Sequence, residues 1–457
     1  MQSGKRELFL LPMRPSPVAG PAPTDRADVQ IYRPFFLAGI ATVLTVGCLL
    51  GAIALLGIAQ QGSYISGAWT PYVLAHANSQ LFGWVGFFVM GFAMQQHGTS
   101  HERLGSFRRV AMAALVSMGI GIGLRFVAEP LVLSDPATGR ALGVFSGLFQ
   151  IAAVLLFAYN TGVNRYRKSE PMRWPTAFVF ASLGCLLLVS LAEPYVFLMT
   201  HQADRLASLA FVARWMTPVR EVQFLGFVAL MIFGVAASKF PGCLGFRPAH
   251  AGLGLTALVC WLGGLGLRVF GWGHYFAANM TPASDMAYRA GAVLLWAGAV
   301  FMTASLGVFA TRRETNASQK FIRAAFAWLL VAGGMLVAEP IHLAAIGAPF
   351  SHAYTGAIRH AVTVGFISQM IIAVGYHLAT RMRMMDERAV APLWPVFVLL
   401  NVGNAGRVGL ELATDYTANA FVPMGFTGFV ELIGLSIWAV AMVRLIAGRN
   451  HVYATTC

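Results

Sequence analysis

Twelve runs of about 20 predominantly apolar residues, centred near residues 47, 84, 119, 152, 187, 224, 261, 298, 332, 368, 401 and 436, dominate the chain. Each is as long as a helix needs to be to cross the hydrocarbon core of a bilayer. In lipid, backbone N–H and C=O groups must be bonded within the segment, so runs of this kind fold as helices. Charged residues are 11% of the chain and hydrophobic residues 57%, against about 25% charged in a soluble domain. The few charges fall between the runs and not along one face of each. The expected class is an all-α integral membrane protein with twelve transmembrane helices and the lipid bilayer as its first partner.

Charge placement sets the expected topology. With the N-terminus inside, only nine of the 32 Lys and Arg fall outside the tail, the even-numbered connections and the C-terminus: Arg125, Arg140, Arg205, Arg214, Arg220, Arg268, Arg289, Arg359 and Arg407. Basic residues concentrate in cytoplasmic loops, which puts both termini in the cytoplasm. The net charge of +14 then reports topology and no nucleic-acid partner. Residues 1–30 are rich in Pro and Arg and lack an apolar core beside a small-residue cleavage site. They read as a disordered cytoplasmic tail, followed by a membrane domain over 31–450 and a second tail over 451–457. The cysteines Cys48, Cys185, Cys243, Cys260 and Cys457 are odd in number and scattered, the pattern of small apolar side chains and not of a disulfide or thiolate-metal framework.

An internal repeat divides the membrane domain. "SQLFGWVGFFVMGFA" (79–93), "VQFLGFVALMIFGVA" (222–236) and "VTVGFISQMIIAVGY" (362–376) align on Gly83, Gly226 and Gly365, at offsets of 143 and 139. "GLRFVAEP" (123–130), "GLRVFGWGH" (266–274) and "GRVGLELA" (406–413) then align Arg125, Arg268 and Arg407 at the same two offsets. The units run over about 31–168, 169–314 and 315–450. Each holds an even number of helices, so the three are parallel and not inverted as in many transporters. A parallel pseudo-threefold arrangement of four-helix units resembles subunit I of the haem–copper oxidases.

Ionisable groups inside a membrane are costly and mark candidate sites. Here they gather toward the outer helix ends: the five arginines Arg125, Arg220, Arg268, Arg359 and Arg407, the glutamates Glu129, Glu193, Glu221, Glu339, Glu411 and Glu431, and His76, His274, His342, His352 and His360. Arg125–Glu129 and Arg407–Glu411 have the spacing that places both charges on one helical face. They are either structural ion pairs or a set of arginines whose planar forks hold an anionic group such as a haem propionate. "VAEP" (127–130), "LAEP" (191–194) and "VAEP" (337–340) are expected to end helices 3, 5 and 9, with proline stopping each and the glutamate pairing with the arginines. His76 and His360 begin the repeat-equivalent helices 2 and 10. They are either interfacial residues or a pair of imidazoles at matching depth, a common way to hold haem iron.

"YRPFFLAG" (32–39), "HANSQLFGWVG" (76–86) and "RHAVTVGFISQM" (359–370) together resemble the NnrS family of bacterial inner-membrane proteins. That resemblance implies haem, with copper as a second metal, and a link to nitric oxide or denitrification through sensing, scavenging or electron transfer with a redox partner. Carried onto this chain it implies His76 and His360 as haem ligands. The family's second histidine before "LFG" is Asn78 here, and helices 6 and 7 lack the histidine trio of an oxidase copper centre. His342 and His352 are then the remaining candidates for copper. A polytopic transporter and a cofactor-free structural relative are the competing readings.

Overall fold

The computed structural model describes residues 30–64, 67–98, 103–169, 171–277, 282–310, 317–385 and 390–448; the two expected tails lie outside them, apart from Gln30. Twelve helices follow one another: α1 (Tyr32–Gln61), α2 (70–96), α3 (Leu104–Leu131), α4 (Pro136–Arg167), α5 (Trp174–Thr200) and α6 (Arg205–Pro241), then α7 (Ala251–Ala277), α8 (Pro282–Leu306), α9 (Gln319–Ile346), α10 (His352–Met382), α11 (Trp394–Ala413) and α12 (Ala418–Ala447). There is no strand among the described residues. Eleven of the helices are long and apolar enough to cross a membrane. The other, α2, is diluted by His76, Asn78, Ser79 and Gln80, yet it is continuous and largely buried.

Local chemistry explains several helix boundaries. Asp135 accepts from the Thr138 amide at the start of α4, Asp204 from the Leu206 and Ala207 amides at the start of α6, and Ser351 Oγ from the Tyr354 amide at the start of α10. Each satisfies amides that the first turn leaves open. Gly62 (φ 63°) and Gly347 (φ 66°) close α1 and α9 in the left-handed region, where a side chain would be strained.

The AEP prolines do not all act as stops. Helix α3 ends one residue after Pro130, but α5 runs on past Pro194 to Thr200 and α9 past Pro340 to Ile346. Proline removes one backbone donor and breaks soluble helices, whereas neighbouring helices and side chains support the freed carbonyl in a membrane bundle.

Helices α6 and α10 are the most enclosed of the long apolar helices, with 67% and 78% of their most apolar windows buried. Both belong to the interior, and α10 packs on both α2 and α6. Outside them, α3, α7 and α11 pair with α4, α8 and α12, while α4 packs on α5, α8 on α9 and α12 on α1. Exposed Val116, Phe145, Leu155, Leu188, Val259, Val402 and Val440 cover the outer helices, as expected of side chains that meet lipid. The interior is aromatic. Trp84 and Trp438 meet edge to face at 5.4 Å, and Phe233 contacts Trp261 and Phe366.

All three of α2, α6 and α10 widen into π-helix, over Ser79–Val85, Val222–Ala229 and Ala361–Ser368. The segment starts are separated by 143 and 139 residues. A π turn loosens the backbone ladder, often at functional sites, and side chains bond to carbonyls within these segments. Ser182 Oγ donates to Phe227 O at 2.6 Å, Trp261 Nε1 to Leu225 O at 2.8 Å and Ser368 Oγ to Thr363 O at 2.9 Å. Helix α1 has a π segment too, Val43–Gly47, and this one meets the candidate site.

Candidate functional site

His76 lies on α2 against α1. Its Nδ1 is 2.8 Å from the carbonyl oxygen of Gly47, and the hydroxyl of Ser79 donates to Val46 O at 2.7 Å. Both acceptors belong to the α1 π segment. A carbonyl only accepts, so Nδ1 carries the proton and Nε2 keeps its lone pair. The ring covers Gly51, where a Cβ would stand 2.5 Å from His76 Cε1. A side chain at position 51 would displace the imidazole.

His360 is built in the same way. Its Nδ1 lies 3.0 Å from Gly356 O and 3.4 Å from Glu411 Oε2, both acceptors, so Nε2 is again the basic nitrogen. Glu411 reaches α10 over Gly356, where a Cβ would meet the carboxylate. His76 is within electrostatic range of His360 and of Arg407. Nδ1 tied to a carbonyl or carboxylate, with Nε2 free, is the arrangement that orients ligating histidines.

The arginines differ in how fully they are paired. Arg125 donates from Nε to Glu129 at 2.7 Å and from Nη1 to Glu193 on α5 at 3.2 Å, and stacks over Phe197. His201 Nε2 adds a contact of 3.0 Å to Glu129, and Gln223 Nε2 donates to Glu193 at 2.8 Å. Arg268 donates from Nε to Glu221 on α6 at 2.7 Å, contacts the Tyr288 hydroxyl and approaches Glu339 on α9 at 3.9 Å. Arg407 has one carboxylate, Glu411, at 3.1 Å. The expected pairs Arg125–Glu129 and Arg407–Glu411 are thus both formed.

Around Arg407 buried polar atoms collect without partners. Arg407 Nε and Nη1, both side-chain polar atoms of Asn404, and Glu431 Oε1 have no hydrogen bond among the described residues. Glu431 packs on Gly403, Asn404 Nδ2 on Gly365 in the α10 π segment, and Glu431 is within electrostatic range of His360, Arg407 and Glu411. Helix α1, which packs on α12 beside this cluster, contributes no carboxylate of its own.

The remaining candidates fall elsewhere. His342 uses both nitrogens, Nε2 toward Asp415 at 2.7 Å and Nδ1 toward the Tyr416 hydroxyl at 3.2 Å. His352 is exposed and meets Phe350 edge to face. Arg220 donates to Gln223 at 2.7 Å, and Arg359 lines a cavity with Arg220 and Arg268. Among the described residues no three His, Cys, Asp or Glu side chains form a metal-holding group.

Asn78, the position where the resemblance implies a second histidine, forms a buried amide pair with Gln150 on α4. Gln150 Nε2 donates to Asn78 Oδ1 at 2.8 Å and Asn78 Nδ2 returns a bond of 3.4 Å. Sequence reasoning also passed over His201, Tyr288, Gln223 and Asn404. Their only signal is polarity inside an apolar run, because the partners lie on other helices. Compared with known proteins, the chain matches no family model and no curated protein.

Proposed function

We propose that the chain is an NnrS-like haem protein of the bacterial inner membrane that acts in the nitric oxide response. In this reading three parallel four-helix units surround a pseudo-threefold axis, with both termini cytoplasmic and the haem site in the outer half of the membrane. The shared spacing of the three π segments supports the units. So does the recurrence of one packing step, α4 on α5, α8 on α9 and α12 on α1.

His76 and His360 are the haem ligands. The observation that carries this is that both imidazoles have Nδ1 held by backbone carbonyls, which leaves two oriented Nε2 lone pairs. The donor set, two imidazoles each with an uncommitted Nε2, fits haem iron. Arg407, with two unpaired guanidinium nitrogens, fits an acidic edge of the same group. Haem bound there would supply a one-electron couple. The chain's own residues would orient the imidazoles, through the Gly47 and Gly356 carbonyls and the Glu411 carboxylate.

Optical spectra of the detergent-purified protein, oxidised and dithionite-reduced, test the reading. Expected is a Soret band lost or shifted in His76→Ala and His360→Ala and kept in His97→Ala, at the far end of α2. Wild-type protein with no such band after expression with ample haem overturns it, and a transporter or cofactor-free role takes its place.

A further inference from the structure

A cavity of about 60 Å³ lies among α6 to α10, lined by Arg220, Glu221, Arg268, Tyr288, Glu339 and Arg359. Guanidinium groups stay protonated in proteins, so three positive charges and two carboxylates line the cavity, with Glu193 within electrostatic range of Arg220 and Glu411 of Arg359 from outside the lining. Arg268 is 2% exposed, and its Nη1 has no hydrogen-bond partner. The Arg359 guanidinium has no hydrogen-bond or ion-pair partner among the described residues. Arg220 gives one nitrogen to Gln223, a neutral acceptor. Tyr288 takes a proton donor from Arg268, which leaves its own O–H to donate.

An uncompensated guanidinium in a low-dielectric interior is costly unless an anion meets it. The planar fork of arginine matches the paired oxygens of a carboxylate or similar oxyanion. The volume is several times the roughly 10–15 Å³ that one water needs, which admits an anion of three or four heavy atoms. We propose that this cavity binds a small, free, planar oxyanion between Arg268 Nη1, Arg220, Arg359 and the Tyr288 hydroxyl. The inference does not rest on the haem reading.

The test follows the unfolding midpoint of the full chain in detergent as sodium gluconate is replaced by sodium formate at constant sodium. A midpoint that rises and saturates is expected. In Arg359→Gln and in Tyr288→Phe the formate concentration for half-saturation should rise at least about tenfold, the loss of one charge-assisted or hydroxyl bond. A rise that never saturates, or the same curve in both variants, overturns the proposal. A haem propionate presents the same carboxylate chemistry, and haem absorbance separates the two sources. Unchanged absorbance in Arg359→Gln together with a lost formate effect supports the free anion. Lost absorbance in that variant, with no formate effect in the wild type, overturns it.

Discussion

His76 Nδ1 lies 2.8 Å from the carbonyl oxygen of Gly47, the last residue of the π segment Val43–Gly47 in α1. The bond fixes the tautomer, and the bare face of Gly51 sets the ring position. Gly51→Val removes no donor and no charge but fills the space of the imidazole. The Soret band should shift or disappear in Gly51→Val while the amount of folded protein in detergent stays near wild type. An unaltered band would detach His76 from the haem.

The Asn78–Gln150 pair ties α2 to α4 with both side chains buried, at 3% and 0% exposure. Asn78→Leu leaves the Gln150 amide unsatisfied and should cost about 1–3 kcal/mol. Replacing both residues by Leu should recover most of that loss, because no polar group is then stranded. Unfolding of the single and double variants in graded detergent mixtures measures the difference. Equal losses in the two would mean that the pair is not mutually satisfying.

Helix positions were legible because the bilayer sets the length of the apolar run, and each expected centre falls inside a helix. The ion pairs Arg125–Glu129 and Arg407–Glu411 were legible for a related reason, since four residues is one turn. Contacts between helices were not. Nothing near Glu129 in sequence announces His201, and nothing near Arg268 announces Tyr288. The proline stops failed at Pro194 and Pro340, where rules from aqueous helices were applied to a packed bundle. The π segments could not be read at all, because one extra residue per turn leaves no mark on an apolar pattern. They nevertheless contain the carbonyls to which His76, Ser182 and Trp261 bond.

Arg125 is the most fully paired of the arginines, and removing it should be costly. Arg125→Gln leaves Glu129 and Glu193, 0% and 4% exposed, as buried carboxylates without their main counter-charge, which costs about 3–5 kcal/mol. Arg407→Gln breaks one direct ion pair, with Glu411, and should cost less. Adding Glu193→Gln to Arg125→Gln should restore part of the loss. The same denaturation assay ranks the variants, and an Arg407→Gln loss as large as that of Arg125→Gln would refute the difference in pairing.

The π segments make the last prediction specific to position. A π turn already holds one residue more than the α turn it replaces, so it has no slack for a second. Each further residue adds about 100° of helical rotation, so an insertion turns everything before it relative to everything after it. Inserting one Ala after Val364, within Ala361–Ser368, swings His360 away from Glu411 and Arg407 and should abolish the haem band. Inserting one Ala after Val228, within Val222–Ala229, instead swings Glu221 away from Arg268. That variant should be less stable and should keep its haem band, since neither His76 nor His360 precedes the insertion on that helix. Spectra and unfolding curves of the two insertions, compared side by side, check the assignment. Loss of haem from the Val228 insertion, with retention in the Val364 insertion, would move the site from α10 to α6.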